Sequence, residues 1–164
     1  MDNVSVIIPT YNRANLIDRA VESVLQQKSF SGELIIVDDG SEDNTTEIVT
    51  LLSTAANIPI KYHRMENSGP AEARNVGVSL AEHSLIAFLD SDDHWYPDKI
   101  SKQLEALKKN KGYLICHTGE RWLRRGVHLN KKNIHKPRQG DIFSHCLQLC
   151  AVGMSTVVMK KTLF

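Results

Sequence analysis

A short apolar run that ends in acidic residues constrains this chain more than any other stretch. Leu85 to Leu89 are all apolar, and Asp90, Asp92 and Asp93 follow directly. An apolar run this short, bounded by charge, predicts a strand buried on both faces. The carboxylates then lie at its carboxyl end, where open α/β sheets bind ligands. Neighbouring carboxylates repel one another, which indicates a hard divalent cation such as Mg²⁺ or Mn²⁺; the alternative is an acidic loop that begins a helix.

The composition is that of an ordinary soluble globular protein. The chain has 164 residues, of which 41% are hydrophobic and 24% charged, and its net charge is +1. This balance gives no general signal for nucleic acid or for a membrane, so we expect no nucleic-acid partner. There is no long apolar run, and Met1-Asp2-Asn3 leads directly into a strand-like segment. We therefore expect a cytoplasmic protein without a signal peptide.

The cysteines indicate neither disulfides nor zinc. Their number is three, and an odd number argues against a disulfide framework. Cys146 and Cys150 are one helical turn apart beside His145, a spacing that matches no common zinc pattern. We expect instead that these cysteines lie on a buried helix face.

Apolar runs typical of strands alternate with segments of helical periodicity as far as Asn110. The expected strands cover residues 4–9, 34–37, 59–63 and 85–89, and the expected helices cover 14–27, 45–55, 71–81 and 97–110. This alternation predicts an α/β domain with a mostly parallel sheet and helices on both faces. Beyond Asn110 we expect a strand over 113–118, a hairpin turn at Gly126, a helix over 141–150 and a last strand over 155–159.

Polar clusters follow three of the predicted strands, namely Pro9-Thr10-Tyr11, Asp38-Asp39 and Asp90-Ser91-Asp92. The carboxyl ends of parallel strands share one edge of a sheet, so these clusters are expected to converge on one ligand site. Asp38 is expected to anchor the turn that follows it rather than to contact a ligand.

Four segments closely resemble the signatures of the family 2 glycosyltransferases, in the usual order and at the usual spacing: 4–13, 37–41 with Asp43, 67–77 and 88–93. The resemblance implies a GT-A fold, the Rossmann-like fold of nucleotide-diphospho-sugar transferases. It implies one domain over 1–164 that ends before the acceptor and base region of the family. A signalling receiver domain would need an acidic pair after the first strand, and a dinucleotide-binding enzyme would need a glycine fingerprint there, and neither is present.

The resemblance also implies a site for a nucleoside-diphosphate sugar, with a UDP-sugar expected from family frequency. Its implied donor-binding residues are the base-contacting Pro9, Thr10, Tyr11 and Asp39, the nucleotide neighbours Arg13 and Arg74, and Asp90 with Ser91 near the ribose or sugar. Asp90-Ser91-Asp92 resembles the acidic D-x-D motif of the family, in which Asp92, together with Asp90, would hold Mn²⁺ or Mg²⁺.

Several of these residues also have purely structural interpretations. Tyr11 could be a packing aromatic, and Arg74 could pair with a carboxylate of the rim. Asp93 is expected to support the N-terminus of the next helix. For Trp95, a platform for the sugar and a place in the core are equally compatible with the sequence.

The resemblance implies an inverting transfer to a saccharide or lipid-linked acceptor in cell-surface polysaccharide or lipopolysaccharide assembly. That reaction needs a general base, which in the family follows a strand like 155–159, whereas this chain ends at Phe164. Glu120 is the candidate within the chain. Without a base, the alternative is a non-catalytic nucleotide-sugar-binding module. The basic stretch 121–138 is expected to be a solvated or disordered loop; alternatively, it meets an acceptor diphosphate or an anionic membrane from the cytoplasmic side.

Overall fold

The computed structural model describes residues 2–130 and 133–164, apart from the side chain of Ile134. In the first part of the chain, strands alternate with helices in this order: β1 (Val4–Thr10), α1 (Ile17–Leu25), β2 (Gly32–Asp38), α2 (Thr45–Ala55), β3 (Ile60–Arg64), α3 (Pro70–Leu80), β4 (Leu85–Phe88) and α4 (Lys99–Lys109). The later elements are β5 (Ile115–His117), β6 (Trp122–Arg124), β7 (Val127–Leu129), α5 (Phe143–Gln148) and β8 (Val157–Lys160). Short 3-10 turns cover Asn133–His135, Met154–Thr156 and Lys161–Leu163.

The central sheet has six strands in the order β3-β2-β1-β4-β8-β5. Strands β3, β2, β1 and β4 pair in parallel. Strand β8 pairs antiparallel to both β4 and β5, so β5 runs in the direction of β4 and only β8 is reversed among the strands described in this sheet. The prediction of a mostly parallel α/β sheet is confirmed, and β3 lies at an edge of the sheet.

Strand β1 is buried along its whole length and divides two cores. Its residues Val4, Val6 and Ile8 pack with side chains of α1, α2 and α4 on one face. Ile7 packs with side chains of α3 on the other face. This alternation follows from the two-residue period of a strand, and it confirms that helices cover both faces of the sheet.

Helix α3 approaches the sheet closely at Gly77. A Cβ atom added to Gly77 would lie 2.4 Å from Cγ2 of Ile7 and 3.4 Å from Cγ2 of Val37. Ala73, one turn earlier, is fully buried as well, whereas Ala71 is exposed. The small residues at 73 and 77 therefore bring the N-terminus of α3 down to the carboxyl ends of β1 and β2.

Some predicted boundaries are wrong. Helix α4 begins at Lys99, so Pro97 precedes it instead of occupying its first turn. Helix α5 is shorter than expected, and both Cys146 and Cys150 are exposed, which contradicts the prediction of a buried helix face. The six-residue helix contributes no buried residue, because it lies outside both cores.

The first part of the basic stretch, residues 122–129, forms an exposed β-hairpin. Strands β6 and β7 pair antiparallel, and Arg125 and Gly126 have positive φ angles of 52° and 77° at the turn, as expected for a tight hairpin. The predicted turn at Gly126 is confirmed, and residues 121–129 are exposed as expected but form a hairpin rather than a loop. Lys131 and Lys132 lie outside the described residues. Within 2–130 and 133–164, no helix is long and apolar enough to cross a membrane.

Candidate functional site

The carboxyl ends of β1, β2 and β4 open into a cleft of about 450 Å³. Its lining comprises Pro9, Thr10, Tyr11, Arg13, Asp39, Asn67, Gly69, Pro70, Ala73, Arg74, Asp90, Ser91 and Asp92. Every residue expected at the donor and metal sites is thus present in one cleft. The turn before α3 and Ala73 also line it, although sequence reasoning assigned them no ligand role.

Asp38, the last residue of β2, and Asp39, which follows it, make different contacts. Asp38 is fully buried, where it accepts hydrogen bonds from the Ser41 amide at 2.8 Å and from the Tyr62 hydroxyl at 2.5 Å. Burial and the hydrogen bond to Asp38 raise the pKa of Tyr62 to about 12, which keeps the phenol protonated. The prediction that Asp38 anchors the following turn is confirmed.

Asp39 lies in the cleft and holds the turn before α3. One carboxylate oxygen accepts the Ser68 amide at 2.7 Å, and the other accepts the Gly69 amide at 2.9 Å. Gly69 has a φ angle of 92°, a conformation that favours glycine. Since each carboxylate oxygen has a second lone pair, Asp39 can still accept a hydrogen bond from a ligand in the cleft.

The loop after β1 presents an aromatic ring and a cation. Tyr11 is 42% exposed, so it is not a packing aromatic. The Arg13 guanidinium donates to the carbonyls of Tyr11 and Asn12 at 3.3 and 3.2 Å, and its Nε lies 3.9 Å from Oδ2 of Asp92. An exposed aromatic ring and a guanidinium in the lining of one cleft suit a planar, anionic ligand.

Arg74 pairs with Asp90 across the cleft. Its Nη2 lies 2.5 Å from Oδ1 of Asp90, and its Nη1 donates to the Pro70 carbonyl at 3.1 Å. The structural pairing considered for Arg74 is therefore present, and it couples α3 to the end of β4. Both residues also line the cleft, so the pairing does not remove them from the candidate site.

The acidic loop after β4 is held by Ser155. The Ser155 hydroxyl accepts the Asp90 amide at 3.0 Å and donates to Oδ2 of Asp93 at 2.6 Å. Burial raises the pKa of Asp93; the Ser155 hydrogen bond opposes this, and the charges of Asp90, Asp92 and Glu120 raise the pKa further. Asp93 therefore has a raised pKa and lies near three other acidic side chains.

The expected role of Asp93 at the next helix is wrong. Helix α4 begins six positions later at Lys99, with Asp98 as its N-cap residue. Asp93 instead faces the segment before β8, because the loop turns back after Asp90, with a hydrogen bond of 2.9 Å from the Asp93 amide to the Asp90 carbonyl.

Trp95 belongs to the core. It is only 6% exposed, its indole N–H donates to the Ser155 carbonyl at 2.7 Å, and Nζ of Lys99 lies 4.3 Å from its ring centroid. The interpretation of Trp95 as a platform for the sugar is therefore wrong.

Asp90 and Asp92 are chemically suitable for a hard divalent cation. Both line the cleft, and their charges add to the larger effect of burial in raising the pKa of Asp93. Among the residues that the structure describes, no group of three or more His, Cys, Asp or Glu side chains could hold a metal by itself. A cation here would need further oxygen ligands, which a bound diphosphate can provide.

Glu120 lies beside the acidic loop rather than among the cleft-lining residues. Its Oε1 accepts the Trp122 indole N–H at 2.8 Å, and its charge contributes to the raised pKa of Asp93. No role at the site was predicted for Ser155. Its sequence context, a serine before an apolar run, contains no signal for a contact with a loop more than 60 positions away.

Comparisons with known proteins agree with this geometry. A family model described as glycosyl transferase family 2 matches residues 5–151. An uncharacterized glycosyltransferase of Rickettsia felis is 39% identical over 98% of this chain, and the match covers 26% of that protein. The putative teichuronic acid biosynthesis glycosyltransferase TuaG of Bacillus subtilis is 37% identical over 96% of this chain and 62% of its own length.

A relative with a more specific name is the UDP-Glc:alpha-D-GlcNAc-diphosphoundecaprenol beta-1,3-glucosyltransferase WfaP of Escherichia coli. It is 33% identical over 99% of this chain and 62% of its own length. The chain thus spans about a quarter to under two thirds of the length of these relatives.

Among solved structures, S. aureus TarS 1-349 in complex with UDP superposes with a TM-score of 0.74 at 24% identity. The superposition covers 98% of this chain and 47% of TarS 1-349, and it shows the GT-A fold. Since the family model matches most of the chain and the relatives align along nearly all of it, this chain belongs to glycosyl transferase family 2.

Proposed function

We propose that this chain is the donor-binding part of a metal-dependent glycosyltransferase that transfers a sugar from a UDP-sugar to a saccharide or lipid-linked acceptor. The observation that carries the proposal is the single cleft at the carboxyl ends of β1, β2 and β4, which contains all the residues expected to bind donor and metal. The names of WfaP, which acts on a diphosphoundecaprenol-linked sugar, and of TuaG support a role in cell-surface polysaccharide assembly.

In this proposal the uracil base lies between the loop after β1 and the turn before α3. The exposed Tyr11 ring offers a stacking surface, and Asp39 offers an acceptor for the ring N–H while its backbone donors, Ser68 and Gly69, hold it in place. A carboxylate fixed by two amides cannot rotate freely, which favours one orientation of the base.

The diphosphate lies toward the acidic loop, with Asp92 and Asp90 holding Mn²⁺ or Mg²⁺. When bound, the cation neutralises the charge that develops on the leaving diphosphate. Arg13 adds positive charge next to Asp92, and Arg74 orients the Asp90 carboxylate. Ser155 holds the loop backbone at Asp90, so that Asp90 does not need to reorganise when the donor binds.

The proposed transfer inverts the anomeric carbon by direct displacement, which requires a base near the acceptor hydroxyl. Glu120 lies near the acidic loop, but it bonds Trp122 and does not line the donor cleft. This observation favours the second candidate function, a nucleotide-sugar-binding module without its own base. Hydrolysis or transfer of a UDP-sugar distinguishes the two functions.

The proposed location is the cytoplasm, at the inner face of the membrane for a lipid-linked acceptor.

Calorimetric titration of UDP, first with Mn²⁺ and then with EDTA, tests the proposed donor site. We expect binding with Mn²⁺ and its loss with EDTA. Asp92→Asn should weaken the Mn²⁺-dependent binding at least about tenfold, equivalent to ~1.4 kcal/mol. Glu105→Gln removes the same charge from an exposed position on α4 and should leave binding unchanged.

Two results would contradict the proposal. One is the absence of binding to UDP, GDP and dTDP under both conditions. The other is UDP binding that Asp92→Asn does not affect. Binding of GDP or dTDP in preference to UDP would correct the base while it preserves the donor site.

A further inference from the structure

A second surface, which carries both arginine and exposed apolar side chains, lies beside the acidic loop. We call residues 121–129 the basic hairpin; they comprise Arg121, strands β6 and β7 and the turn between them. All six strand residues are exposed, including Leu123 at 55% and Val127 at 65%. Several exposed apolar side chains within one short hairpin are typical of a surface that another molecule covers.

Positive charge is concentrated in and directly after this hairpin. Residues 121–138 contain seven basic side chains and no acidic one, whereas the whole chain has a net charge of +1. The basic residues are Arg121, Arg124, Arg125, Lys131, Lys132, Lys136 and Arg138. The complementary partner is a surface with dense negative charge.

The pairing of the strands places apolar and basic side chains on the same face. Trp122 pairs with Leu129, and Arg124 pairs with Val127, so these four side chains share a face of the hairpin. The Trp122 ring is 39% exposed and lies 4.9 Å from the His135 ring. A tryptophan among aliphatic and arginine side chains is typical of surfaces at the boundary between lipid and water.

The base of the hairpin is tied to the candidate site. Arg121 donates to the Tyr96 hydroxyl at 3.2 Å, in the loop between the acidic residues and α4. Trp122 donates to Glu120, whose charge reaches Asp93. A surface that binds the hairpin therefore lies on the same side of the molecule as the acidic loop.

We propose that the basic hairpin docks this protein onto the surface of an anionic lipid bilayer. The arginine side chains contact lipid phosphates, while Trp122, Val127 and Leu129, which share a face with Arg124, enter the interfacial region. Nucleic acid matches the charge, but a phosphate backbone offers no place for the exposed aliphatic side chains. Docking brings the donor cleft to the depth of a lipid-linked acceptor, and only this last consequence rests on the proposed function.

Co-sedimentation of the protein with lipid vesicles tests the proposal. Vesicles of phosphatidylcholine alone are compared with vesicles that contain about one third phosphatidylglycerol, at low and at high salt. We expect binding to the anionic vesicles only, and weaker binding at high salt. Arg124→Gln combined with Arg125→Asn should lower the partition coefficient about 20-fold. Asparagine is chosen at 125 because it tolerates the positive φ angle there.

Two further variants separate charge from apolar contact. Lys28→Gln combined with Lys111→Gln removes the same charge from exposed positions outside the hairpin and should lower binding far less. Val127→Asn combined with Leu129→Asn keeps the charge and should also weaken binding, because both side chains lie on the face of Trp122 and Arg124. In the unaltered protein, anionic vesicles should shift the fluorescence emission of the exposed Trp122 to shorter wavelength, while the buried Trp95 contributes little change.

Three outcomes would overturn the inference: no binding to anionic vesicles, binding that the hairpin variants leave unchanged, or hairpin-dependent binding to duplex DNA as tight as that to the vesicles. The UDP titration is independent of lipid. A protein that binds UDP but no vesicle therefore refutes the docking surface alone, and one that binds vesicles but no nucleotide refutes the donor site alone.

Discussion

Ser155 and Asp93 form a 2.6 Å hydrogen bond between residues 62 positions apart in the chain, with the serine hydroxyl as donor. The same hydroxyl accepts the Asp90 amide at 3.0 Å. Strand β8, which follows Ser155, runs between β4 and β5 in the opposite direction to both. Because β8 runs in the reverse direction, the residue before it, Ser155, contacts the loop that carries the candidate metal ligands. We call its two hydrogen bonds to Asp90 and Asp93 the Ser155 clamp.

We expect Ser155→Ala to lower stability and metal-dependent nucleotide binding together. The Asp93 carboxyl group and the Asp90 amide both lose their partner, and at this solvent-exposed position each hydrogen bond is worth about 0.5–1.5 kcal/mol. Chemical denaturation measures the first effect, and titration of UDP with Mn²⁺ measures the second. Ser79→Ala removes an exposed hydroxyl that bonds only within α3 and should change neither. If Ser155→Ala and Ser79→Ala have the same stability and the same affinity for UDP, the Ser155 clamp does not hold the acidic loop.

Gly77→Ala is expected to destabilise the protein by about 1–3 kcal/mol, because the new Cβ overlaps a packed core side chain. It would lie 2.4 Å from Cγ2 of Ile7, and relief requires α3 to move away from β1. Thermal unfolding measures the effect. Gly112→Ala is the matched control, since no atom lies within 4 Å of its added Cβ. A Gly77→Ala variant as stable as the control would show that α3 shifts without cost.

Lys99 makes the stability of the protein depend on pH above neutrality. Burial lowers the pKa of Lys99 from 10.5 to about 7, although its Nζ donates to Gln103 at 2.5 Å. Between these two values the unfolded chain binds a proton that the folded protein lacks, so the free energy of unfolding should rise as the pH increases from about 7 to 10.5. Denaturation of the unaltered protein and of Lys99→Met at pH values across this window measures the difference.

In Lys99→Met this rise should disappear, and the variant should gain most relative to the unaltered protein at and below neutral pH. Lys102→Met provides the control, because Lys102 is an exposed lysine on the same helix. A parallel pH dependence in the unaltered protein and in Lys99→Met would contradict a buried, neutral Lys99.

Glu33 is expected to contribute stability that acid removes. Burial raises the pKa of Glu33, but hydrogen bonds from Lys61, Ser5 and the Glu82 amide outweigh it and hold the pKa below the ordinary value of 4.5. Since the folded pKa is the lower one, this contribution is present above about pH 4.5 and is lost as the pH falls through the folded pKa. Acid denaturation of the unaltered protein and of Glu33→Gln measures it.

Glu33→Gln should be less stable at neutral pH and should lose less stability on acidification. Glu66→Gln is the control, because it removes the same charge from an exposed position. If acid affects Glu33→Gln and the unaltered protein equally, another group governs the acid transition.

Much of the fold was predictable because local patterns and sheet geometry point the same way. The apolar runs at 4–9 and 34–37, and residues 86–89 of the third run, are buried on both faces, as expected for continuous apolar strands of a parallel sheet. Once these strands are parallel, their carboxyl ends converge, and the polar residues that follow them share a cleft. The turn-anchoring role of Asp38 also followed from turn chemistry.

The sequence by itself therefore determined the alternation of strands and helices, the mostly parallel sheet and the membership of the candidate donor site. Only the tertiary structure decided the reversal of β8, the burial of Trp95 and the partnership of Asp93 with Ser155 rather than with α4. The physical reason is the distance along the chain over which each interaction acts. Periodicity and turn propensity act over a few neighbouring residues, whereas these features arise from contacts between segments about 60 positions apart, which no local pattern encodes.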